Sequence, residues 1–179
     1  NSGISAITLG GNGMKAGIVG AAGYVGTELI QYLISHPAIE ITKVHSRKGI
    51  GQSLIEVLPQ YDGILDLQFQ PISQDAFDGL DVLFLATPHG VSSTLANLTN
   101  NVPTVIDLSR DHRHAPDWIY GQPEWMKDQL FGATRIAAAG CFATAIALAA
   151  APLVHSSSLR GPIRVAATTG STGSGRTPG

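Results

Sequence analysis

The stretch Lys15-Ala-Gly-Ile-Val-Gly20-Ala-Ala-Gly-Tyr-Val-Gly26 decides the fold, together with the residues that follow it. Lys15–Val19 ends in the apolar run of a buried strand, and Gly20–Gly26 is a Gly-x-x-Gly-x-x-Gly turn. Thr27–Ser35 predicts a helix because its Leu and Ile side chains recur on one face, and Pro37 follows as a terminator. A strand, a glycine turn and an amphipathic helix in this order predict the first unit of a parallel α/β sheet.

The glycine turn is suited to binding the pyrophosphate of a dinucleotide. Glycines let backbone amides approach a phosphate at the N-terminus of a helix. The spacing departs by one position from the usual Gly-x-Gly-x-x-Gly, and glycines also occur in turns for conformational reasons alone. A purely structural turn is therefore the alternative. The predicted cofactor contacts in this turn are Gly20, Ala22, Gly23, Tyr24, Val25 and Gly26.

The end of the second predicted strand, Ile39–Val44, indicates which nicotinamide cofactor binds. An NAD site needs an acidic residue here for the ribose hydroxyls, whereas a 2′-phosphate needs cations and hydrogen-bond donors. The sequence that follows is His45-Ser46-Arg47-Lys48. Arg47 can hold a phosphate through its planar fork, Lys48 adds a positive charge and Ser46 can donate a hydrogen bond. We therefore predict NADP(H) as the cofactor, with a solvated basic loop as the alternative.

Further apolar runs predict more strands of the same sheet. They are Leu65–Phe69, which is weaker, Asp81–Ala86, Thr104–Leu108, Arg135–Ala138 and Ile163–Thr168. Helices are predicted at Val91–Asn97 and Phe142–Ala151. The predicted fold class is α/β, a Rossmann-like doubly wound parallel sheet followed by the start of a second, α+β substrate or dimerisation domain.

The predicted domain organisation follows from these elements. Residues 1–13 are interpreted as a leader or tag remnant, because they are uncharged and rich in Gly and Ser. Residues 14–140 form the predicted NADP-binding domain, and residues 141–179 the start of the catalytic or dimerisation domain. Gly170–Gly179 is a glycine-rich loop with no closing element, so we expect the chain to stop partway through a larger protein.

Polar loops follow the two central predicted strands. Thr87, Pro88 and His89 come after Asp81–Ala86, and Ser109 comes after Thr104–Leu108. The carboxyl ends of parallel strands form the ligand crevice of an open α/β sheet. We therefore expect Thr87, Pro88 and His89 to face the cofactor and Ser109 to face the substrate.

The single cysteine, Cys141, follows Gly140 where a predicted strand passes into a predicted helix. The amides and dipole of a helix N-terminus stabilise a thiolate, so the position suits a nucleophile. A lone cysteine is also commonly an inert apolar side chain, and that alternative stays open. Beside a nicotinamide, a thiol could attack an activated acyl group, and hydride would then reduce the thioester to an aldehyde.

Two further groups could bind the anionic parts of such a substrate. Arg110 and Arg113 follow the Thr104–Leu108 strand and could bind phosphate or carboxylate, with surface arginines as the alternative. The loop Gly170–Gly175 offers many backbone amides and could surround a phosphate, or it could be a flexible edge.

Composition and charge disfavour several classes of partner. The 179 residues include 11 basic and 13 acidic side chains, with a formal charge of −2 and no basic stripe. We therefore expect small-molecule partners rather than nucleic acid or a membrane, and no apolar run is long enough to span a bilayer. A single cysteine favours a cytoplasmic location. His112 and His114 lack companions at metal-ligand spacing, so we expect solvated histidines and no metal.

Six motifs in order resemble the N-acetyl-gamma-glutamyl-phosphate reductase family, an NADP-dependent family of arginine biosynthesis. Each motif alone is weak, but their order from Met14 to Gly179 is specific. The motifs are Gly20-Ala-Ala-Gly-Tyr-Val-Gly-Thr-Glu-Leu29, Ser46-Arg47, Phe84-Leu-Ala-Thr-Pro-His-Gly90, Val105-Ile-Asp-Leu-Ser-Arg-Asp-His-Arg113, Tyr120-Gly-Gln-Pro-Glu124 and Gly140-Cys-Phe-Ala-Thr144 with Ala-Pro-Leu153.

The resemblance implies roles for several residues. Cys141 would be the nucleophile, the glycine turn and Ser46-Arg47 would hold NADPH, and Arg113 and the Ser171 region would lie near the substrate. The implied reaction is the reductive dephosphorylation of N-acetylglutamyl phosphate to the semialdehyde through a thioester. It also implies an acid/base histidine beyond Gly179, and a second domain that carries the contacts of a homo-oligomer, a dimer or tetramer.

Departures from the family pattern leave the substrate open. This chain has Ala139 and Ala143 where the family usually has proline, and Arg110 and His112 replace the usual residues of their loop. The aminoadipyl phosphate homologue of lysine biosynthesis differs by one methylene, which a pocket distinguishes by only about 1–3 kcal/mol. Aspartate-semialdehyde dehydrogenase, which shares the sheet and the use of a thiol, is a further alternative. A non-catalytic NADP-binding fragment is the alternative from another functional class.

Overall fold

The computed structural model describes residues 13–157 and 161–174. The strands are β1 Met14–Val19, β2 Ile39–His45, β3 Phe69–Gln70, β4 Val82–Leu85, β5 Thr104–Asp107, β6 Ile119–Gly121 and β7 Arg135–Ala138. The α-helices are α1 Tyr24–Ile34, α2 Leu54–Val57, α3 Pro123–Leu130 and α4 Cys141–His155. Short 3-10 helices lie at Pro59–Tyr61, Ser92–Thr99 and Ser171–Ser174.

The seven strands form one parallel sheet in the order β3-β2-β1-β4-β5-β7-β6. The strand order reverses at β1, which pairs with β2 on one side and with β4 on the other. Such a reversal opens a crevice at the carboxyl ends of the two central strands, where open α/β sheets bind their ligands. The predicted Rossmann-like, doubly wound parallel sheet is confirmed.

Apolar cores lie on both faces of the sheet. All four residues of β4 are buried, and they alternate between the two clusters, with Val82 and Phe84 in one and Leu83 and Leu85 in the other. The first cluster includes Ile30 and Leu33 of α1. A parallel strand must be apolar on both faces because helices and loops cover both sides of the sheet.

Most predicted elements are confirmed, but several boundaries are wrong. The helix predicted at Thr27–Ser35 begins earlier, at Tyr24, inside the glycine turn. The stretch predicted as a helix at Val91–Asn97 is a 3-10 helix at Ser92–Thr99. The helix predicted at Phe142–Ala151 is α4, which begins at Cys141 and continues through Pro152 to His155.

The strand predicted at Leu65–Phe69 is wrong over most of its length. Only Phe69 and Gln70 pair with β2. The preceding residues bond to another segment instead, since the Leu54 N–H donates to the Leu67 carbonyl at 2.7 Å and Ser53 bridges Gln68 antiparallel. The alternating pattern instead reflects Leu65 and Leu67, which pack against the first apolar cluster from outside the sheet.

The last predicted strand, Ile163–Thr168, is also wrong, since no strand is present between residues 161 and 170. Ile163 and Val165 are 52% and 53% exposed. With Phe142 and Ile146 they line an apolar cavity of about 410 Å³ along α4. The apolar residues therefore face a helix and not a ladder partner.

Three of the described strands and α-helices, α2, β6 and α3, have no counterpart in the sequence prediction. Strand β6 has three residues, too few for a periodic pattern to identify. Helix α3 starts with Pro123 at its first position, a common start signal that could have identified it. Residues 1–12 of the predicted leader lie outside the described part of the chain. In the described ranges, no helix is both long and apolar enough to cross a membrane.

Truncating Leu83 should test the role of the central strand. Leu83 is fully buried, so Leu83→Ala removes apolar contacts that its packed neighbours cannot replace. We expect the free energy of unfolding to fall by about 2–5 kcal/mol in urea titrations. The matched control is Leu148→Ala on α4, where Leu148 is 42% exposed, and it should cost less than about 1 kcal/mol. Equal losses in the two variants would contradict the assigned core.

Candidate functional site

The glycine turn is crowded by backbone at two positions. Gly20 has φ +85°, and a Cβ there would collide with the carbonyl group of Ala86 in the loop after β4. A Cβ on Gly26 would lie 2.6 Å from the Cα of Ala21. Glycine is therefore required at both positions, which presses the turn against β4 and seats α1 directly behind it.

The turn presents the N-terminus of α1 to the crevice. The helix follows Gly23, so no side chain caps it, and the Gly23 N–H donates to the Gly20 carbonyl at 2.9 Å. Tyr24 and Val25 in the first turn are 43% and 52% exposed, whereas Ala22 is buried. This arrangement fits the pyrophosphate of a dinucleotide. The glycine turn has no side chains that would exclude the phosphates, and the dipole of α1 favours anions at its N-terminus.

The predicted basic group lies directly beside this turn. The N–H groups of Gly20 and Ala21 donate to the His45 carbonyl at 2.8 and 3.2 Å, which ties the turn to the end of β2. Arg47 and Lys48 follow and are exposed, and the Ser46 hydroxyl accepts the Lys48 N–H at 3.3 Å. The structure therefore brings the glycine turn and Ser46-Arg47-Lys48 together.

His45 itself is fully buried at the end of β2. Its Nδ1 lies 3.1 Å from the Gln70 carbonyl, and its ring contacts Phe77 edge-on at 5.3 Å. No described group hydrogen-bonds to its Nε2. Burial lowers the pKa of His45 below the ordinary 6.5, against the opposing effect of the Gln70 hydrogen bond. The neutral ring holds the end of β2 in place, and the glycine turn is bonded to that end through the His45 carbonyl.

The predicted loop Thr87-Pro88-His89 lies at the crevice, since the Ala86 carbonyl that precedes it contacts Gly20. The Thr87 and Ser92 hydroxyls are 2.7 Å apart, and Ser92 Oγ donates to Asp107 Oδ1 at 2.8 Å. His89 Nδ1 accepts the Arg110 N–H at 3.2 Å. These bonds connect the loop after β4 with the loop after β5.

Asp111 provides a second link between these two loops. Its carboxylate accepts the N–H groups of Gly90 and Ser93 at 2.7 and 3.2 Å. Burial opposes ionisation of this side chain, but the two backbone donors together with the nearby His112 and His89 outweigh it and hold the pKa of Asp111 below its usual range. A charged carboxylate therefore fixes the loop that carries Thr87, Pro88 and His89.

Asp107, at the end of β5, is the most heavily hydrogen-bonded side chain of the crevice. It is fully buried and accepts bonds from Ser92 Oγ, the Ser109 N–H, Ser109 Oγ and His112 Nδ1, at 2.7–2.9 Å. His112 also stacks on Trp118 with ring centroids 4.0 Å apart. The expectation that His112 is solvated is therefore wrong, since it is 9% exposed and bonded to a buried carboxylate.

Ser109 is buried within the loop after β5 and holds it through hydrogen bonds. It is 1% exposed, its hydroxyl donates to Asp107 and it accepts the Asp111 N–H at 3.0 Å. These bonds occupy the hydroxyl within the protein. A direct contact between Ser109 and substrate stays a prediction.

Arg113 and Cys141 are brought together by the end of β7. Arg113 Nε donates to the Ala138 carbonyl at 2.9 Å, and its Nη1 lies 2.8 Å from the place that a Cβ on Gly140 would occupy. Cys141 follows Gly140 directly, is exposed and begins α4. A guanidinium thus lies against the residue that precedes the thiol, at an uncapped helix N-terminus.

The other predicted substrate residue, Ser171, is the first residue of the 3-10 helix Ser171–Ser174. Its side chain lies outside the described part of the chain, so its proximity to Cys141 stays a prediction. Arg110 is exposed and contacts the crevice through its backbone. In the described ranges, no group of three His, Cys, Asp or Glu residues could hold a metal ion.

Sequence reasoning missed two residues of the crevice. The available signal for Asp107 was an acidic residue at the end of an apolar strand, where its carboxylate would be buried. Gln122 is 5% exposed, and its Nε2 has no partner among the described residues. Gln122 stands in the motif Tyr120-Gly-Gln-Pro-Glu124, but the motif indicated no role for it.

The buried His45 predicts a loss of stability on acidification. Its pKa is lowered in the folded state, so protons bind preferentially to the unfolded chain once the pH falls through about 6.5. We expect the urea midpoint to fall between pH 7.5 and 5.5, and to fall less in His45→Gln. The exposed His114 gives the control, since His114→Gln should keep the pH dependence of the unmutated chain. The same slope in His45→Gln would refute this assignment.

Comparisons with known proteins agree with this geometry. Residues 15–133 match a family model described as semialdehyde dehydrogenase, NAD binding domain. A Bacteroides thetaiotaomicron protein named N-acetyl-gamma-glutamyl-phosphate reductase is 41% identical, over 93% of this chain and 52% of that protein. A Xylella fastidiosa protein of the same name is 42% identical, over 90% of this chain and 49% of that protein. The chain spans about half the length of these curated relatives.

Solved structures show the same fold at low sequence identity. Aspartate semialdehyde dehydrogenase with NADP from Candida albicans superposes with a TM-score of 0.63 at 21% identity, over 81% of this chain and 48% of that one. The Francisella tularensis enzyme of that name gives 0.63 at 21% identity, over 80% and 41%. The predicted nicotinamide dinucleotide cofactor is confirmed by the family match, whereas the residues predicted to hold it stay a prediction. The family model matches residues 15–133, which is most of the chain, so this chain belongs to the semialdehyde dehydrogenase NAD-binding domain family.

Proposed function

We propose that the whole protein is an NADPH-dependent reductase that converts N-acetyl-gamma-glutamyl phosphate into N-acetylglutamate semialdehyde, a step of arginine biosynthesis. The observation that carries this proposal is the Arg113 guanidinium against Gly140, directly before the exposed Cys141. The names of the curated relatives support the choice of substrate. The glycine turn at the crevice supports the choice of cofactor class.

Cys141 is the proposed nucleophile. Its sulfur attacks the acyl carbon, a C–S bond forms, the C–O bond to phosphate breaks and inorganic phosphate leaves, which gives a thioester. The N-terminus of α4 favours the anionic form of the thiol, because the amides and dipole of an uncapped helix stabilise negative charge. The exposure of Cys141 leaves the sulfur accessible to a substrate.

Arg113 is the proposed anion-binding residue beside the thiol. Its Nε is fixed on the Ala138 carbonyl, whereas Nη1 and Nη2 donate to no acceptor within residues 13–157 and 161–174. These two nitrogens can therefore bind the phosphate or carboxylate of the substrate in the fork geometry typical of arginine. A guanidinium with one fixed nitrogen loses little conformational freedom when it binds.

The proposed cofactor site combines the glycine turn Gly20–Gly26 with the basic segment Ser46-Arg47-Lys48. Gly20 and Gly26 allow the close backbone approach that brings the N-terminus of α1 to the crevice, and Arg47 and Lys48 supply charge for a 2′-phosphate. When bound, NADPH would supply the hydride that converts the thioester into the aldehyde and releases the Cys141 thiolate. The acid/base histidine implied by the family motifs lies beyond Gly179 in this proposal.

The cytoplasmic location, the homo-oligomeric state and the division at residues 140 and 141 are parts of the same proposal. The location rests on a sequence with one cysteine and therefore no internal disulfide. The division places α4 at the start of the catalytic domain, and α4 has no buried residues among its described side chains.

Reversing the charge of Arg47 should separate the two nicotinamide cofactors. Arg47→Glu removes the proposed contact to the 2′-phosphate and adds repulsion, so we expect NADPH affinity to fall about tenfold or more. NADH affinity should change less than about threefold, because NADH lacks that phosphate. Fluorescence titrations of the 179-residue chain measure both. The control is Lys127→Glu on α3, which carries the same charge change at an exposed site. An equal effect on both cofactors would argue against the 2′-phosphate contact.

Replacing Cys141 tests the chemistry. In a full-length protein that includes this chain, Cys141→Ser should abolish acyl-phosphate-dependent NADPH oxidation while NADPH affinity stays unchanged, because the thiol binds the acyl group only. Retained turnover would refute the nucleophile. The glutamyl, aminoadipyl and aspartyl phosphates compared in one steady-state assay distinguish the proposed substrate from its alternatives. NADPH binding without turnover on any of them would favour a non-catalytic binding role.

A further inference from the structure

His112 and Asp107 form a buried pair at the base of the crevice. His112 Nδ1 lies 2.7 Å from Asp107 Oδ2, and the side chains are 11% and 0% exposed. A carboxylate oxygen accepts, so this ring nitrogen donates. On its other side the imidazole lies nearly parallel to the Trp118 ring, at an interplanar angle of 11°. A hydrogen bond and a stacking contact therefore fix His112 from two directions.

This pair restrains the residue that follows it. Arg113 is bonded to His112 through the main chain, and its N–H donates to the Arg110 carbonyl at 3.3 Å. Asp107 also accepts two bonds from Ser109, at the other end of the same short turn. The backbone of the turn is thus held at both ends by one carboxylate, and only the Arg113 side chain projects from it to the Ala138 carbonyl.

The geometry points to His112 and Asp107 as a positioning pair that holds the Arg113 guanidinium beside Cys141. This inference deepens the proposed function and rests on it for the meaning of the thiol. Neither member of the pair is a catalytic residue, because the buried atoms act through Arg113. The pair sets the charge that an anionic reactant meets at Cys141.

The pair is suited to this role because its bonds are sheltered from water. A hydrogen bond to a buried carboxylate is stronger than one at the surface, and removal of its donor leaves a polar group without compensation. The turn would then gain alternative arrangements, and the guanidinium would spend less time near Gly140. Replacement of the ring by phenylalanine preserves the stack on Trp118 and removes only the donor.

The test uses the thiol itself as the probe. Cys141 is the only cysteine in the sequence, so alkylation of the 179-residue chain reports on one site. The measurement is the rate with iodoacetate divided by the rate with iodoacetamide, since only the first reagent is an anion. General changes in exposure affect both rates and cancel. Arg113→Gln should lower this ratio about three- to tenfold through loss of the nearby positive charge.

His112→Phe should lower the ratio toward the value of Arg113→Gln, and His112→Asn should restore it in part because an amide can still donate. The control His114→Phe changes an exposed histidine two residues away and should leave the ratio unchanged. If thermal unfolding shows that His112→Phe does not fold, Asp107→Asn replaces it as the disrupting variant with the same expected fall.

An unchanged ratio in folded His112→Phe or Asp107→Asn, with a lowered ratio in Arg113→Gln, would overturn the positioning role. An unchanged ratio in Arg113→Gln would overturn it as well, because the guanidinium would then not be sensed at the thiol. The proposed function is judged separately, by the turnover of Cys141→Ser. A purely structural role for His112 would lower the unfolding temperature without moving the ratio.

Discussion

The buried carboxylate of Asp107 is the group on which the crevice depends. It ends β5 and gathers donors from Ser92, Ser109 and His112, which belong to the loops after β4 and β5. A buried carboxylate must be compensated by such donors, so the two loops cannot separate without exposing an unsatisfied charge. The loop after β4 and the turn that carries Arg113 therefore form one connected unit.

A second constraint is steric. The absence of side chains at Gly20 and Gly26 lets β1, α1 and the Ala86 carbonyl approach one another, and the His45 carbonyl ties β2 to the same turn. Close backbone approach places the helix N-terminus at the point where the strand order reverses. The glycine turn and the basic residues after His45 are consequently neighbours in space, although Gly26 and Arg47 are more than 20 positions apart in the sequence.

Strong apolar runs predicted the sheet well, whereas short or ambiguous patterns did not. Val82–Leu85 is buried on both faces, and its uninterrupted apolar sequence could hardly belong to a surface loop. Ile163 and Val165 gave a similar signal, yet they face a cavity along α4. An apolar run favours burial, but it does not report which element covers the side chains or how fully they are covered.

The sequence by itself determined the central strands, the helices α1 and α4, the glycine turn, the basic residues after β2 and the position of Cys141 before a helix. These features are local, because each depends on residue type and spacing within a few positions. Only the tertiary structure decided that His112 is buried against Asp107 and Trp118, that Ser109 bonds inward and that Arg113 reaches Gly140. These contacts join separate strand ends, and their distances are set by how the parallel strands align in the sheet.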